Sequence, residues 1–203
     1  MLSDEQIDRY SRQIILPQVG AAGQQRLLGT RAAVHGCGAL AATAARYLVG
    51  AGIGGVSVDD AELAEELRRL NPDVAVSVAG HAGAALVLVA DLARDALDAV
   101  AATAPPLCIG AGLTAGGGWL HVAGGGRGCL PCAARAAGPG GGEAIRAAIA
   151  ASALGAVAAL SGLTHVLRLD TPHPELWWRF DAAAATLTPQ RLQRRAACHA
   201  PSH

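Results

Sequence analysis

The stretch from residue 31 to residue 60, RAAVHGCGALAATAARYLVGAGIGGVSVDD, decides the fold. An apolar run of strand length comes first and is followed by Gly36 and Gly38, which open an alanine-rich helix. A second short strand then ends at Asp59 and Asp60. A strand, a glycine turn, a helix, a strand and a terminal acid within about thirty residues are typical of the first half of a nucleotide-binding βαβ unit.

Further elements are predicted on both sides of this unit. Ser3 and Gln6 have the spacing of a capping box and open a helix to about residue 13. Further helices are predicted over residues 21–28, 61–70, 92–103 and 143–167, strands over 74–78, 86–89, 107–109 and 119–122, and a hairpin over 176–180 and 186–192. The predicted fold class is α/β, a Rossmann-like mostly parallel sheet flanked by helices, with a C-terminal β-hairpin.

The chain is long enough for one domain. It has 203 residues, of which 52% are hydrophobic and 16% are charged, so it can bury a sizeable core. We divide the single domain 1–203 into N-terminal helices (1–30), a nucleotide-binding-type core (31–128) and a part containing a cysteine pair, a long helix, the hairpin and the tail (129–203). Because alanine dominates the apolar residues, we expect closely stacked layers.

The charges exclude several functions. Sixteen basic and sixteen acidic residues balance, which argues against nucleic-acid and anionic-membrane partners. Every basic residue is Arg, so Schiff-base chemistry and a P-loop lysine are excluded within this chain. The N-terminus has no signal-peptide pattern, and the apolar stretch 144–167 carries Arg146 and is interpreted as a buried helix. We expect a cytoplasmic protein.

Residues 9–16, RYSRQIIL, resemble the start of ThiF/MoeB-type proteins, the bacterial relatives of ubiquitin-activating enzymes. The resemblance continues through GAGIG at 50–54, RLNP at 69–72 and the pair Cys129 and Cys132, and it covers nearly the whole chain. It implies ATP-dependent adenylation of the C-terminal glycine of a ubiquitin-like sulfur carrier, a dimer, and often a structural zinc ion.

The resemblance also implies roles for individual residues. Gly36 and Gly38 would let a phosphate approach the backbone, and Asp60 would accept a hydrogen bond from a ribose hydroxyl. Arg12 would reach into the ATP site of the other protomer as an arginine finger. The alternatives are a solvated turn acid for Asp60 and an ordinary salt bridge for Arg12.

The departures from the family pattern concern the phosphates. Ala39 and Ala41 replace two of the four glycines of the family's turn. About thirty residues that follow Asp60 in relatives are missing, together with an Arg and a Lys that hold the triphosphate. Three glutamates stand in that region instead and place negative charge near the expected position of the phosphates: Glu62, Glu65 and Glu66. Asp91 is the counterpart of a metal-binding Asp, displaced by about one residue. No Cys lies in 133–149, where the family has its reactive one.

The remaining cysteines and histidines suggest one metal site. A zinc site of Cys129, Cys132, Cys198 and His203 is chemically sensible, and the alternative is an empty pair of thiols on a tight turn. His199 is a second nitrogen donor near this site. We interpret Cys37 and Cys108 as core residues, and five histidines as structural: His35, His81, His121, His165 and His173.

The leading hypothesis is a shortened, degenerate ThiF/MoeB-like protein. It would be the non-catalytic subunit or docking module of a system that activates a ubiquitin-like carrier or a peptide. It would form a homodimer, or a heterodimer with a catalytically intact homologue. One alternative is an adenylyltransferase that binds ATP or AMP and works with a partner's help. The other is a dinucleotide-binding oxidoreductase, which the RYSRQIIL segment and the cysteine pair disfavour.

Overall fold

The computed structural model describes residues 1–80, 83–91, 94–103, 105–124, 127–140, 144–169 and 173–193. The helices are α1 (Asp4–Ile14), α2 (Gly20–Leu28), α3 (Gly38–Gly50), α4 (Ala61–Leu70), α5 (Arg94–Ala102), α6 (Leu130–Ala137) and α7 (Ala144–Val166). The strands are β1 (Arg31–His35), β2 (Gly55–Val58), β3 (Ala75–Val78), β4 (Leu86–Ala90), β5 (Leu107–Thr114), β6 (Gly117–Gly124), β7 (Leu176–Asp181) and β8 (Thr186–Arg191).

The strands form one sheet in the order β3-β2-β1-β4-β5-β6-β7-β8. The pairs from β3 to β5 are parallel, and those from β5 to β8 are antiparallel. The predicted fold class is confirmed, with the hairpin β7–β8 added at the antiparallel edge. Helix α6 was not predicted, and β5 and β6 are longer than expected.

One face of the sheet is covered by α3, α4 and α7, and the layers lie close together there. A Cβ atom built on Gly155 of α7 would lie 2.5 Å from the carbonyl oxygen of Leu40 in α3, so a larger residue does not fit between the two helices. Ala44 and Ala158 lie in the same core and are fully buried. The expected close stacking of small residues is present at this helix crossing.

Helix α7 has the length and the apolar composition of a membrane span over Ala147–Val166. It nevertheless packs on α3, β5 and β6, and Leu154 and Ala158 on it are fully buried in the main core. These contacts support the interpretation of the stretch as a core helix.

The opposite face is covered unevenly. Leu97 and Val100 of α5 pack on Val87 and Val89 of β4, and α6 packs on β5 and β6. The connection from β3 to β4 consists of only seven residues, 79–85, and its described residues contain no helix. Within the described part of the chain, no helix covers strands β2 and β3 on this side.

Candidate functional site

The carboxyl ends of β1 and β4 meet where the strand order reverses. Strand β1 is followed in sequence by β2 on one side of it, and β4 lies on its other side. In open α/β sheets, ligands bind in the crevice outside such a switch point. The segments that follow β1, β2 and β4 therefore define the candidate site.

The glycine turn after β1 fits closely against β4. Gly36 has φ +114°, and a Cβ atom there would collide with the carbonyl oxygen of Ala90. Gly38 has φ +83° and open space around it, and the N-cap residue Cys37 makes no capping bond with its side chain. The first backbone N–H groups of α3 are thus available to an anion. Cys37 is exposed, so its prediction as a core residue is wrong.

Asp59 is a site residue that the sequence analysis did not single out. Its Oδ2 atom accepts a hydrogen bond from the Gly36 N–H at 2.9 Å, and its Oδ1 atom lies 3.1 Å from Nδ1 of His35. The signal available in the sequence was its position at the end of β2, the same signal that drew attention to Asp60. Asp59 places a carboxylate directly on the glycine turn.

Asp60 begins α4 as its N-cap residue. Its Oδ1 atom accepts hydrogen bonds from the N–H groups of Glu62 (2.9 Å) and Leu63 (3.3 Å). Both bonds use one oxygen, so Oδ2 remains able to accept a hydrogen bond from a hydroxyl group. Asp60 has a capping role, and its predicted ribose contact stays a prediction.

Two of the three glutamates on α4 are paired with arginines. Glu66 binds Arg46 of α3 through two hydrogen bonds of 2.6 and 2.7 Å, which lower the pKa of the carboxyl group. Glu65 pairs with Arg68 on its own helix. The predicted accumulation of negative charge therefore rests on Glu62 and on Asp59, rather than on all three glutamates.

Asp91 follows β4 directly at the switch point. It is exposed and has φ +52°, a conformation in which aspartate is tolerated better than most residues. Its N–H donates to the carbonyl oxygen of Ala111 at 2.8 Å, and its Oδ1 atom accepts from the Leu113 N–H at 3.1 Å. The second carboxylate oxygen has no partner among the described residues. Asp91 therefore presents one oxygen atom to the crevice.

The carboxyl edge is poor in positive charge. Residues 36–37, 59–60, 91–93 and 115–116, which follow the parallel strands β1, β2, β4 and β5, contain no Arg, and the whole chain contains no Lys. Arg94 begins α5 immediately beyond this edge, and its side chain lies outside the described part.

The segment RYSRQIIL is divided between an inward and an outward role. Tyr10 is 1% exposed, and its hydroxyl accepts a hydrogen bond of 2.9 Å from the Asn71 side chain of the RLNP segment. Arg9 pairs with Asp73 at 3.1 Å. Arg12 is exposed, and among the described residues its side chain has no partner. The first two thus anchor α1, whereas Arg12 is left available to another molecule.

The cysteine pair begins helix α6 instead of lying on an isolated tight turn. Cys129 is its N-cap residue, and both Cys129 and Cys132 are buried. The Cys129 N–H donates to Nε2 of His121 at 3.1 Å, and Nδ1 of His121 lies 2.8 Å from the Leu176 carbonyl oxygen. His121 is thus a neutral structural residue, and burial lowers its pKa to about 4.

The rest of the predicted zinc site lies outside the described residues, because Cys198 and His203 belong to the segment 194–203. Within the described ranges, no group of three or more potential metal ligands occurs. Cys108 is buried as predicted, and burial raises the pKa of its thiol to about 12.

The strand order and the glycine turn define a Rossmann-like fold. Residues 10–66, from α1 into α4, match the ThiF family. The sulfur carrier protein adenylyltransferase of Thermus thermophilus is 48% identical over 61 residues, which make up 30% of this chain and 22% of that protein. The SAMP-activating enzyme E1 of Haloferax volcanii is 47% identical over 64 residues, 32% of this chain and 24% of that protein.

The fold likeness extends much further than the sequence match. A crystal structure of E. coli MccB with AMPCPP and MccA superimposes with a TM-score of 0.74 over 96% of this chain and 74% of that one, at 16% identity. The predicted resemblance to ThiF/MoeB-type proteins is confirmed, in sequence over residues 10–66 and in fold over most of the chain. It matches less than a quarter of the length of the two curated relatives.

Proposed function

We propose that this chain is the non-catalytic subunit or docking module of a system that activates a ubiquitin-like sulfur carrier or a peptide. The observation that supports this proposal most strongly is that the loops at the carboxyl edge contain no Lys or Arg. Adenylation develops negative charge on the phosphates, and enzymes stabilise that charge with cations. Because removal of one such group costs about 3 kcal/mol of transition-state stabilisation, we expect the isolated chain to be inactive.

Asp59 strengthens this proposal. Its carboxylate holds the Gly36 N–H at 2.9 Å, so a negative charge already lies on the turn that a phosphate would approach. The Gly36 N–H is therefore already occupied, and the neighbouring carboxylate would repel a phosphate, most strongly where water is excluded. Nucleotide binding through Gly36, Gly38 and Asp60, with ATP or AMP as the ligand, is therefore expected to be weak.

The second part of the proposal concerns Arg12. Helix α1 is fixed by Tyr10 and Arg9, and Arg12 on its last turn is exposed without a partner in the described chain. We propose that it completes the active site of a partner, in a homodimer or in a heterodimer with a Lys-bearing homologue. A guanidinium placed on the transferring phosphoryl group supplies the charge that the partner's site lacks.

Zinc is proposed as a structural ion. Two buried thiols, Cys129 and Cys132, lie three residues apart at the start of α6, a spacing that suits a tetrahedral site. Cys198 and His203 would complete it and tie the tail to α6. Metal analysis of the purified protein tests this, and Cys198→Ser should release the metal while Cys108→Ser should not. We also propose that the protein is cytoplasmic.

Pyrophosphate exchange tests the main proposal. The chain alone, with ATP, magnesium and a carrier protein, should give no exchange, whereas a complex with an intact ThiF-type homologue should be active. Arg12→Ala should lower the rate of that complex about a hundredfold or more. Arg191→Ala, at an exposed arginine of the far strand β8, is the matched control and should leave the rate unchanged. Exchange by the chain alone would contradict the proposal.

One alternative retains specific support. Asp91 presents a carboxylate oxygen without a partner in the described chain, and Gly38 leaves the start of α3 open. Both features suit an adenylyltransferase that holds metal and nucleotide itself. Transfer of AMP to a carrier by the chain alone, lost in Asp91→Asn, would establish this alternative. The relatives reported above are named as an adenylyltransferase and an activating enzyme, which gives the oxidoreductase hypothesis no support.

A further inference from the structure

A concavity lies on the side of the sheet opposite α3 and α4, where none of the described helices covers β2 and β3. Its volume is about 210 Å³. Its lining consists of residues from β1, β2 and β3 and from the short connection between β3 and β4: Arg31, Ala32, Gly55, Val56, Ser57, Ala75, Ser77, Ala79, Gly80 and Ala84. It is a different site from the carboxyl edge that carries the proposed function.

The polar groups of this lining are positive or neutral. Arg31 is exposed, and its Cγ atom lies 3.6 Å from the position of a Cβ atom built on Gly55, so its stem extends over that glycine. The side chains of Arg31, Ser57 and Ser77 have no hydrogen-bonding partner among the described residues. No acidic residue of the described ranges lines the concavity. Its electrostatic complement is therefore an anion.

The two serines lie side by side. Ser57 and Ser77 are register partners on the parallel strands β2 and β3. Gly55 and Ala75 lie two residues earlier on the same strands and also line the concavity. Because alternate residues of a strand share a face, the side chains of both serines face the concavity. Two hydroxyl groups about 5 Å apart and one guanidinium provide donors to a planar group with two oxygen atoms.

The size of the site selects among occupants. The part of the sheet left uncovered is less than roughly 200 Å², from strand spacing and rise, against about 800 Å² per partner in a stable protein interface. A second copy of the chain would therefore gain too little here. A volume of about 210 Å³ is below the usual range of pockets for drug-sized ligands, which suits a body of a few carbon atoms.

A strand added to the edge fits less well. The outward carbonyl oxygen of Val76 on β3 already accepts a hydrogen bond of 3.3 Å from Nη2 of Arg68. This contact occupies a backbone group that an added strand would need. The concavity behind the edge remains open.

We propose that this concavity binds a carboxylate on a short aliphatic body. Arg31 holds the carboxylate, Ser57 and Ser77 donate to it, and Ala75, Ala79 and Ala84 contact the aliphatic part. One guanidinium balances one carboxylate charge, whereas a phosphate dianion would leave a charge unpaired. The carboxylate belongs either to a free short-chain acid or to the C-terminus of a peptide with a small last residue.

The experiment uses butyrate and N-acetyl-Ala-Ala as probes, with butyramide and the peptide amide as neutral controls. Binding is followed by two-dimensional NMR of the full chain, at the backbone amides of the concavity. The acids should bind saturably and the amides at least tenfold more weakly. Stronger binding of butyrate identifies a free acid as the ligand class, and stronger binding of the peptide identifies a C-terminus.

Variants locate the binding. Arg31→Gln should weaken binding about tenfold or more, while Arg191→Gln, at another exposed strand arginine, should not change it. Ala75→Val, at an exposed position of β3, keeps Arg31 and narrows the concavity, so it should also weaken binding. Thermal unfolding verifies that each variant is folded. Absence of saturable binding, equal binding of the amides, or equal binding by Arg31→Gln overturns the proposal.

Discussion

The anchor of α1 and the carboxyl edge of the sheet differ in what they retain. The anchor is a buried, hydrogen-bonded network in which Tyr10 and Asn71 join two segments 61 residues apart in sequence. The edge keeps the shape of a glycine turn but has Asp59 on it and no Arg or Lys on the described loops. The difference teaches that the residues that build this fold are separable from those that neutralise phosphate. A chain can keep the first set without the second.

The largest effect is expected at the glycine turn. Gly36→Ala should lower the free energy of unfolding by about 4 kcal/mol, because the new methyl group meets the Ala90 carbonyl oxygen in a left-handed conformation. Gly38→Ala is the matched control: its φ is also positive but its surroundings are open, so about 1–2 kcal/mol is expected. Urea unfolding measures both, and equal losses would mean that the turn does not rest on β4.

A smaller effect is expected from His121, a buried residue of β6 that accepts a hydrogen bond from the Cys129 N–H at the start of α6. Its pKa is about 4 in the folded chain against 6.5 in the unfolded one, because burial disfavours the charged form. The unfolded chain therefore binds more protons between these values. The associated stability, about 3 kcal/mol, is fully present above pH 6.5 and is lost as the pH falls towards 4.

Urea unfolding at several pH values between 7 and 4.5 checks this dependence. His121→Gln does not titrate in this range, so the difference in slope between it and the unchanged chain isolates the contribution of the histidine. Parallel slopes for the two proteins between pH 6.5 and 5 would show that His121 is not held neutral.

The next smaller effect is expected at the hydrogen-bonded anchor of α1. Asn71 is 3% exposed; its side-chain amide donates to the Tyr10 hydroxyl and to the Val49 carbonyl oxygen, both at 2.9 Å. Asn71→Ala should cost about 2 kcal/mol of stability, because the buried Tyr10 hydroxyl loses this donor and the Val49 carbonyl oxygen keeps only the Gly52 N–H. Gln13→Ala is the milder control, since Gln13 makes one part-buried bond of 3.4 Å. A double-mutant cycle with Tyr10→Phe should show coupling of about 1 kcal/mol, and strict additivity would contradict a shared network.

The smallest effect is expected between α3 and α4. Glu66 and Arg46 form an exposed two-bond pair, which water and salt screen. Glu66→Gln should change the melting temperature only slightly, and the change should shrink further in high salt. A large, salt-independent loss of stability would contradict the view that this pair is exposed and only weakly stabilising.

Local signals made much of the fold predictable. Ser3 and Gln6 form the predicted capping box, and Asn71 ends α4 where the sequence suggested. Helix α6 was not predicted because Pro131 was taken as part of a turn, whereas proline in the first turn of a helix loses no needed hydrogen bond.

The glycine-rich strands β5 and β6 were underestimated for a different reason. A Cβ atom on Gly112 would lie 2.6 Å from Nε1 of Trp119, and one on Gly110 would lie 3.0 Å from the same ring. The glycines therefore make room for a side chain that arrives from the paired strand. Glycine usually weakens a strand, and only the tertiary contact explains its presence here.

The site was harder to predict than the fold. Asp60 was identified from its position, yet its cap on α4 and the bond from Asp59 to Gly36 depend on how the ends of two strands meet. Arg12 was identified through the family resemblance, and its lack of a partner in the described chain could be known only from the structure. Sequence patterns indicate candidates, whereas three-dimensional pairing decides which atoms remain available.

The seven-residue connection between β3 and β4 also has a consequence for how the chain folds. Closing a loop costs entropy that grows with its length, by about 0.6 kcal/mol for each doubling. A connection without a helix thus lets β4 find β1 soon after β3 has formed, through contacts that are near in sequence. Because local contacts speed folding, the parallel half of the sheet should assemble before the antiparallel half, whose β7 joins β6 only after the long helix α7.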